Sequence, residues 1–108
     1  MSVGSRRKRG EPLFMRWARV LGWRKAFSVI SLITELTMHE ELEGEWPTIE
    51  RFCEIQGMSH ATFYRHQKNF LDVTPEFSSI REFVMWSKER SLSVEQAARQ
   101  FVWGGELA

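Results

Sequence analysis

The sequence predicts an all-α fold, a small bundle of about six helices. Two observations lead to this class. Hydrophobic residues make up 43% and charged residues 27% of the 108 residues, which is the balance of a folded globular chain. Apolar residues recur at helical spacing between glycines, prolines and capping hydroxyls, and no segment shows the alternation that indicates a strand.

The first ten residues, MSVGSRRKRG, differ from the rest of the chain. They lack an apolar period and contain two glycines, so we expect a flexible arm over 1–10 and a single helical domain over 11–108. The arm is basic because of Arg6, Arg7, Lys8 and Arg9. An acidic stretch lies between Glu35 and Glu54, where seven glutamates are opposed by Arg51 alone. Such charge separation favours a surface that meets a polyanion, although each run could also be a solvated face or tail.

The first predicted helix follows Pro12 and breaks or kinks at Gly22. Its apolar face has i, i+3, i+4 and i+7 spacing and consists of Phe14, Trp17, Ala18 and Leu21. The spacing resumes at Ala26 and predicts a second, longer helix that runs to about Leu42 and ends at Gly44.

Two shorter helices are predicted next. Thr48 is placed to cap a helix over about 48–56, which Gly57 ends. Ser59 is placed to cap another helix that runs to about Asn69.

Two further helices complete the bundle. The run Thr74-Pro75-Glu76 predicts the start of a fifth helix, whose apolar residues are Phe77, Ile80, Phe83 and Val84. Ser93 and Gln96 form a capping box for a sixth helix, which we expect to end at Gly104-Gly105. Its apolar residues are Val94, Ala97, Ala98 and Phe101.

Residues 47–70 have the order of a helix-turn-helix: a short support helix, a turn glycine, and a second helix that packs across the first. Small residues are needed where the two helices cross closely, and we expect Cys53 and Ala61 to supply them. An exposed second helix could then enter the major groove of duplex DNA, which is ~12 Å wide.

The outward side of this second helix has chemistry suited to DNA. We expect it to present Ser59, His60, Ala61, Thr62, Tyr64, Arg65 and Lys68. Ser59 and Thr62 can contact phosphates or base edges, and Arg65 can donate two hydrogen bonds to guanine. Tyr64, His66 and Lys68 can reach the flanking phosphates.

The segment PTIERFCEIQGMSHATFYRHQKNF resembles the DNA-reading part of TetR-type repressors. The matching residues are Gly57, Met58, Ser59, Thr62, Phe63, Tyr64 and His66. The resemblance implies two groups of contacts. Those near the DNA surface are Thr48, Ser59, Ala61 and Thr62. Those that hold the DNA backbone are Tyr64, His66 and Lys68.

The sequence departs from this family in two ways. Gln67 stands where the family has a core phenylalanine, and about 38 residues follow Phe70, too few for the family's ligand-binding domain. The resemblance therefore does not imply an inducer pocket, and no small-molecule effector is evident from the sequence. The alternative for 47–70 is a helical hairpin in a bundle core. The segment 92–101 also resembles the support helix of a helix-turn-helix, but Val102 replaces the turn glycine, so we expect a packing or dimer helix.

Five tryptophans are many for such a chain, and large aromatic residues are favoured in cores and at interfaces. We expect most of them in the core and place Trp86 and Trp103 at an interface. A homodimer would let two reading helices address DNA half-sites ~34 Å apart.

Enzyme chemistry has no support in this sequence. His39, His60 and His66 lack a nucleophile or further metal ligands at a defining spacing, and Cys53 is the single cysteine. We therefore expect no catalytic residue, metal or cofactor. Polar residues interrupt the most apolar window, 26–36, so no membrane helix is expected. The stretch behind the basic N-terminus carries Arg16, Arg19, Arg24 and Lys25, so no signal peptide is expected and the cytoplasm is the expected location.

These features together predict sequence-specific binding to double-stranded DNA by a small transcriptional regulator of a bacterium, phage or mobile element, acting as a homodimer. Two alternatives remain open at this point. One is an oligomeric DNA-packaging or replication accessory protein, and the other is a protein-interaction adaptor.

Overall fold

A computed structural model describes residues 11–102, and six α-helices account for most of them. The helices are α1 Leu13–Leu21, α2 Trp23–Glu43, α3 Ile49–Gln56, α4 His60–Val73, α5 Ile80–Glu89 and α6 Val94–Gln100. No strand is present between residues 11 and 102, which confirms the predicted all-α class. The basic arm, Trp103 and Gly104-Gly105 lie outside the described residues.

The longest helix of the described residues, α2, packs against most of the other helices. Gly22 has φ 90° and ψ 156°, a conformation that favours glycine, and it alone separates α1 from α2. The inner face of α2 is apolar and contacts α1, α4, α5 and α6. Its buried residues are Ala26, Val29, Ile30, Leu32, Ile33 and Leu36. Gly44 ends the helix, as predicted, and its N–H donates to the Glu40 carbonyl.

The core is centred on Trp17 of α1, which is fully buried. Its indole N–H donates a hydrogen bond of 2.8 Å to the buried hydroxyl of Thr74. Its ring meets Phe70 of α4 and Phe83 of α5 edge-on, with centroids 5.7 and 5.9 Å apart. One side chain therefore joins three helices and the loop between α4 and α5.

The predicted start of the fifth helix at Thr74 is wrong. The chain makes a turn there, in which the Phe77 N–H donates to the Thr74 carbonyl. Helix α5 begins at Ile80 instead, and the Ser79 hydroxyl caps it by accepting the Glu82 N–H. The Thr74 hydroxyl is occupied by the indole of Trp17, so it does not serve as a helix cap.

Arg16 fixes the same loop from outside the core. Its guanidinium donates to the Val73 carbonyl at 3.0 Å and forms an ion pair of 2.8 Å with Glu76. Burial alone would raise the pKa of the Glu76 carboxyl, but the hydrogen bond from Arg16 and the favourable charge of that residue outweigh it. The net shift of the pKa is downward, so Glu76 is ionised at neutral pH.

Helix α6 confirms the predicted capping box between Ser93 and Gln96. It ends at Gln100 rather than at Gly104-Gly105, because Phe101 is already extended and its carbonyl accepts the Leu13 N–H at 3.0 Å. The contacts of α6 are with α1, α2 and α5, so it serves as a packing helix.

Replacing Thr74 with valine should destabilise the fold. The change keeps the side-chain shape but leaves the buried indole N–H of Trp17 without an acceptor, which costs about 1–3 kcal/mol. Urea denaturation measures this loss. Thr37→Val is the matched control, because the Thr37 hydroxyl bonds within its own helix to the Ile33 carbonyl. Equal stability losses for the two variants would contradict the role given to Thr74.

Candidate nucleic-acid interface

Helices α3 and α4 are joined by a short turn at Gly57-Met58. Gly57 has a left-handed conformation, with φ 67° and ψ 31°, which a side chain would strain. The Met58 N–H donates to the Cys53 carbonyl at 2.9 Å, and the Gly57 N–H donates to the Glu54 carbonyl at 3.4 Å. This pair of bonds is the Schellman ending of a helix, and it confirms that Gly57 ends α3. The turn is therefore held by backbone bonds.

The interface between α3 and α4 is aromatic. Phe52 and Phe63 are buried and meet edge-on, with ring centroids 5.7 Å apart. Cys53 is buried as predicted, and burial raises the pKa of its thiol. The expectation that Ala61 lies at the helix crossing is wrong, since Ala61 is exposed on the outer side of α4.

Hydrogen bonds order the first turns of α4. The Ser59 hydroxyl caps the helix by accepting the Thr62 N–H at 3.1 Å, and it donates to the Thr62 hydroxyl at 2.9 Å. The Arg65 guanidinium lies 3.5 Å from the same Thr62 oxygen. Ser59, Thr62 and Arg65 thus form one connected row along the helix surface.

The outer side of α4 carries most of the predicted contact residues. Ala61, Arg65 and Lys68 follow i, i+4 and i+7 spacing and are exposed, and so are His60 and Tyr64. Thr62 is half-buried at the edge of this face. Thr48 is exposed at the start of α3, where its hydroxyl caps the helix by accepting the Arg51 N–H.

His66 is set apart from the other predicted contacts. Its ring is half-buried and lines a groove between α2 and α3 that also contains Leu32 and Phe52. Its Nδ1 atom is buried and has no hydrogen-bond partner among the described residues. The sequence contained this signal, because His66 continues the inward spacing of Phe63, Phe70 and Val73. The structure therefore places His66 in the groove and not beside the exposed residues of α4.

The charges around α4 are mixed. Lys68 forms an ion pair with Asp72, one helical turn further on, a partner that was not predicted from the sequence. Arg65 has no acidic partner within residues 11–102. On α3, Glu50 and Glu54 are exposed, and the Arg51 guanidinium beside Glu43 lowers the pKa of that carboxyl.

Gln67 lines a pocket of about 320 Å³ between α2, α3, α4 and the start of α5. Apolar neighbours in this pocket include Trp46, Phe63 and Leu71. The side-chain amide of Gln67 therefore lies in a largely apolar site, at the position where TetR-type repressors have a core phenylalanine.

Within residues 11–102, no helix is both long and apolar enough to cross a membrane. The His, Cys, Asp and Glu side chains of these residues form no group of three that could hold a metal ion.

Comparisons with protein-family models, curated proteins and solved structures gave no match to this chain.

The stability of the fold should fall in mild acid because of His66. Burial, and secondarily the charge of Arg65, lower its pKa below the ordinary 6.5, so the unfolded chain binds the proton more readily. The stabilising contribution is complete above 6.5 and is lost as the pH falls through the folded-state pKa. Melting temperatures at about pH 7.5 and pH 5.5 measure the effect.

His66→Gln should reduce this pH dependence. His60→Gln is the matched control, since His60 is exposed on the same helix, and it should retain the full dependence of the wild-type chain. A His66→Gln variant with the wild-type pH dependence would contradict the assignment.

Proposed function

We propose that this chain binds duplex DNA in a sequence-specific manner through α4. It acts as a homodimer in the cytoplasm and is a small transcriptional regulator of a bacterium, phage or mobile element. One observation carries the proposal: the hydrogen-bonded row of Ser59, Thr62 and Arg65 on the exposed N-terminal half of a helix. Polar groups of this type at that end of a helix are suited to reading base edges in the major groove.

In the proposed complex, the N-terminal half of α4 lies in the major groove. Arg65 donates two hydrogen bonds to guanine, while Thr62 contacts a neighbouring base or phosphate. The free backbone N–H groups of the first turn of α4 face a phosphate. Because Ser59 and Thr62 already hold this turn, little conformational entropy is lost when the helix binds.

Phosphate contacts complete the interface. Tyr64 and Lys68 are exposed one helical turn apart, beside the row of Ser59, Thr62 and Arg65, and reach the DNA backbone there. Lys68 exchanges Asp72 for a phosphate at small cost, because a solvent-exposed ion pair contributes little stability. Arg6, Arg7, Lys8 and Arg9 add phosphate or minor-groove contacts, as basic N-terminal arms do in other DNA-binding proteins.

Selection from a random pool of duplexes by the intact chain should enrich one palindromic sequence. Arg65→Ala should then lose about 1–3 kcal/mol of binding free energy for that duplex, with relaxed preference at one base pair. Arg81→Ala is the matched control, because Arg81 is also exposed and without an ion-pair partner among residues 11–102. An unselective pool, or equal affinities for the two variants, would overturn the proposal.

Deleting residues 2–10 should weaken DNA binding and reduce its dependence on salt. Each lost phosphate contact should lower the slope of log K against log salt by about 0.9. Gel-shift titrations at several salt concentrations measure the slope, and circular dichroism checks that the shortened chain is folded. An unchanged slope would show that the arm does not contact DNA.

Exposed apolar residues on α2 favour a second candidate, an oligomeric DNA-packaging or replication accessory protein. This candidate predicts a large oligomer that binds DNA without regard to sequence. A protein-interaction adaptor instead predicts no DNA binding at ~0.1 M salt.

A further inference from the structure

The outer face of α2 carries an apolar stripe that has no cover among the described residues. Its members are Trp23, Phe27, Met38 and Leu42, which are 54%, 52%, 46% and 82% exposed. Their spacing places all four on the side of the helix opposite its buried face. Ser31 and Thr34, two smaller residues, lie on the same side at the middle of the helix.

The aromatic end of this stripe is held in place by the core. Trp23 stacks on Phe27 with ring planes 30° apart, and Phe14 meets both rings edge-on at 5.5 and 5.6 Å. Beside the stripe runs a groove of about 300 Å³, whose walls include Phe27, Ser31 and Leu32. The face therefore combines fixed projecting aromatic rings with a recess that can accept side chains.

Charges at the two ends of α2 indicate what covers the stripe. Arg24 lies at the N-terminal end and Glu41 at the C-terminal end, each exposed at an edge of the stripe. Neither has an ion-pair partner within residues 11–102. Two copies of α2 side by side in parallel would oppose like charges. Two antiparallel copies bring opposite charges to both ends and also align the helix dipoles favourably.

We propose that a second copy of this chain covers the stripe, with the two α2 helices antiparallel about a two-fold axis near Ser31 and Thr34. The proposal rests on the homodimer of the proposed function and identifies its interface. The helix is about 31 Å long, which is enough for an extended contact. In this arrangement Trp23 and Phe27 of each copy face Met38 and Leu42 of the other, and methionine sulfur packs favourably on aromatic rings.

The sequence predicted an interface at Trp86 and Trp103, and Trp103 lies outside the described residues. Trp86 is half-buried between Phe77, Phe83 and Phe101, and the Arg90 guanidinium covers its ring at 4.3 Å. Trp23 is the more exposed aromatic side chain.

Single cysteines test the antiparallel arrangement on the full-length chain without DNA. Ser31→Cys or Thr34→Cys should give a disulfide-linked dimer under mild oxidation, because residues near a two-fold axis meet their own copies. Phe27→Cys alone should not, since its two copies would lie about 17 Å apart along the helices. A mixture of Phe27→Cys and Met38→Cys chains should cross-link, and Glu89→Cys on α5 is the surface control. Cross-linking of Phe27→Cys to itself, or failure at both central positions, would overturn the proposal.

Sedimentation velocity gives an independent readout. Met38→Glu should shift the chain from dimer to monomer, whereas Met85→Glu, an equally drastic change at a methionine of α5 that is 55% exposed, should leave the dimer intact. A dimeric Met38→Glu variant, or a monomeric wild-type chain, would overturn the interface. Failure of the proposed function is distinguishable, because the wild-type chain would then form the α2 dimer without selecting any duplex sequence.

Discussion

The burial of one polar atom, the indole nitrogen of Trp17, constrains much of this structure. An N–H group removed from water needs an acceptor, and the Thr74 hydroxyl provides it at 2.8 Å. This bond fixes the loop after α4 and delays the start of α5 to Ile80. It also keeps Trp17 in the position where Phe70 and Phe83 pack on its ring, so α1, α4 and α5 share one centre.

The candidate reading helix depends on that centre. Phe70 and Val73 bury the C-terminal half of α4 in the core, and Phe63 packs its first half against Phe52 of α3. The helix is thus held along its inner face, and the outer face is free to present Arg65. Aromatic contacts and backbone hydrogen bonds hold α4 in place, so the row of Ser59, Thr62 and Arg65 is preorganised in the free protein.

Helix α2 connects the candidate DNA-binding surface on α4 with the proposed dimer interface. Its inner face packs on α4, while its outer stripe from Trp23 to Leu42 is the proposed contact with a second copy. The groove lined by His66 of α4 also includes Phe27 and Ser31 of α2. A dimer through α2 would therefore hold the two reading helices in a fixed relation, which is what recognition of paired half-sites requires.

The sequence by itself determined the features that depend on neighbouring residues. Left-handed glycines end α2 at Gly44 and α3 at Gly57. The capping hydroxyls of Ser59 and Ser93 lie within three residues of the N–H groups that they accept. The pattern of neighbouring residues was therefore sufficient to predict these helix ends and caps. The outward placement of Arg65 followed from helical spacing in the same way.

Tertiary structure alone decided the features that depend on residues far apart in the chain. The sequence signal for a cap at Thr74 was locally sound, but a side chain 57 positions away occupies its hydroxyl. The backbone hydrogen bond between Phe101 and Leu13 set the end of α6. The packing of α1 against α2 decided that Trp23 is exposed. Local pattern cannot reveal such contacts, because the competing partner becomes a neighbour only once the chain has folded.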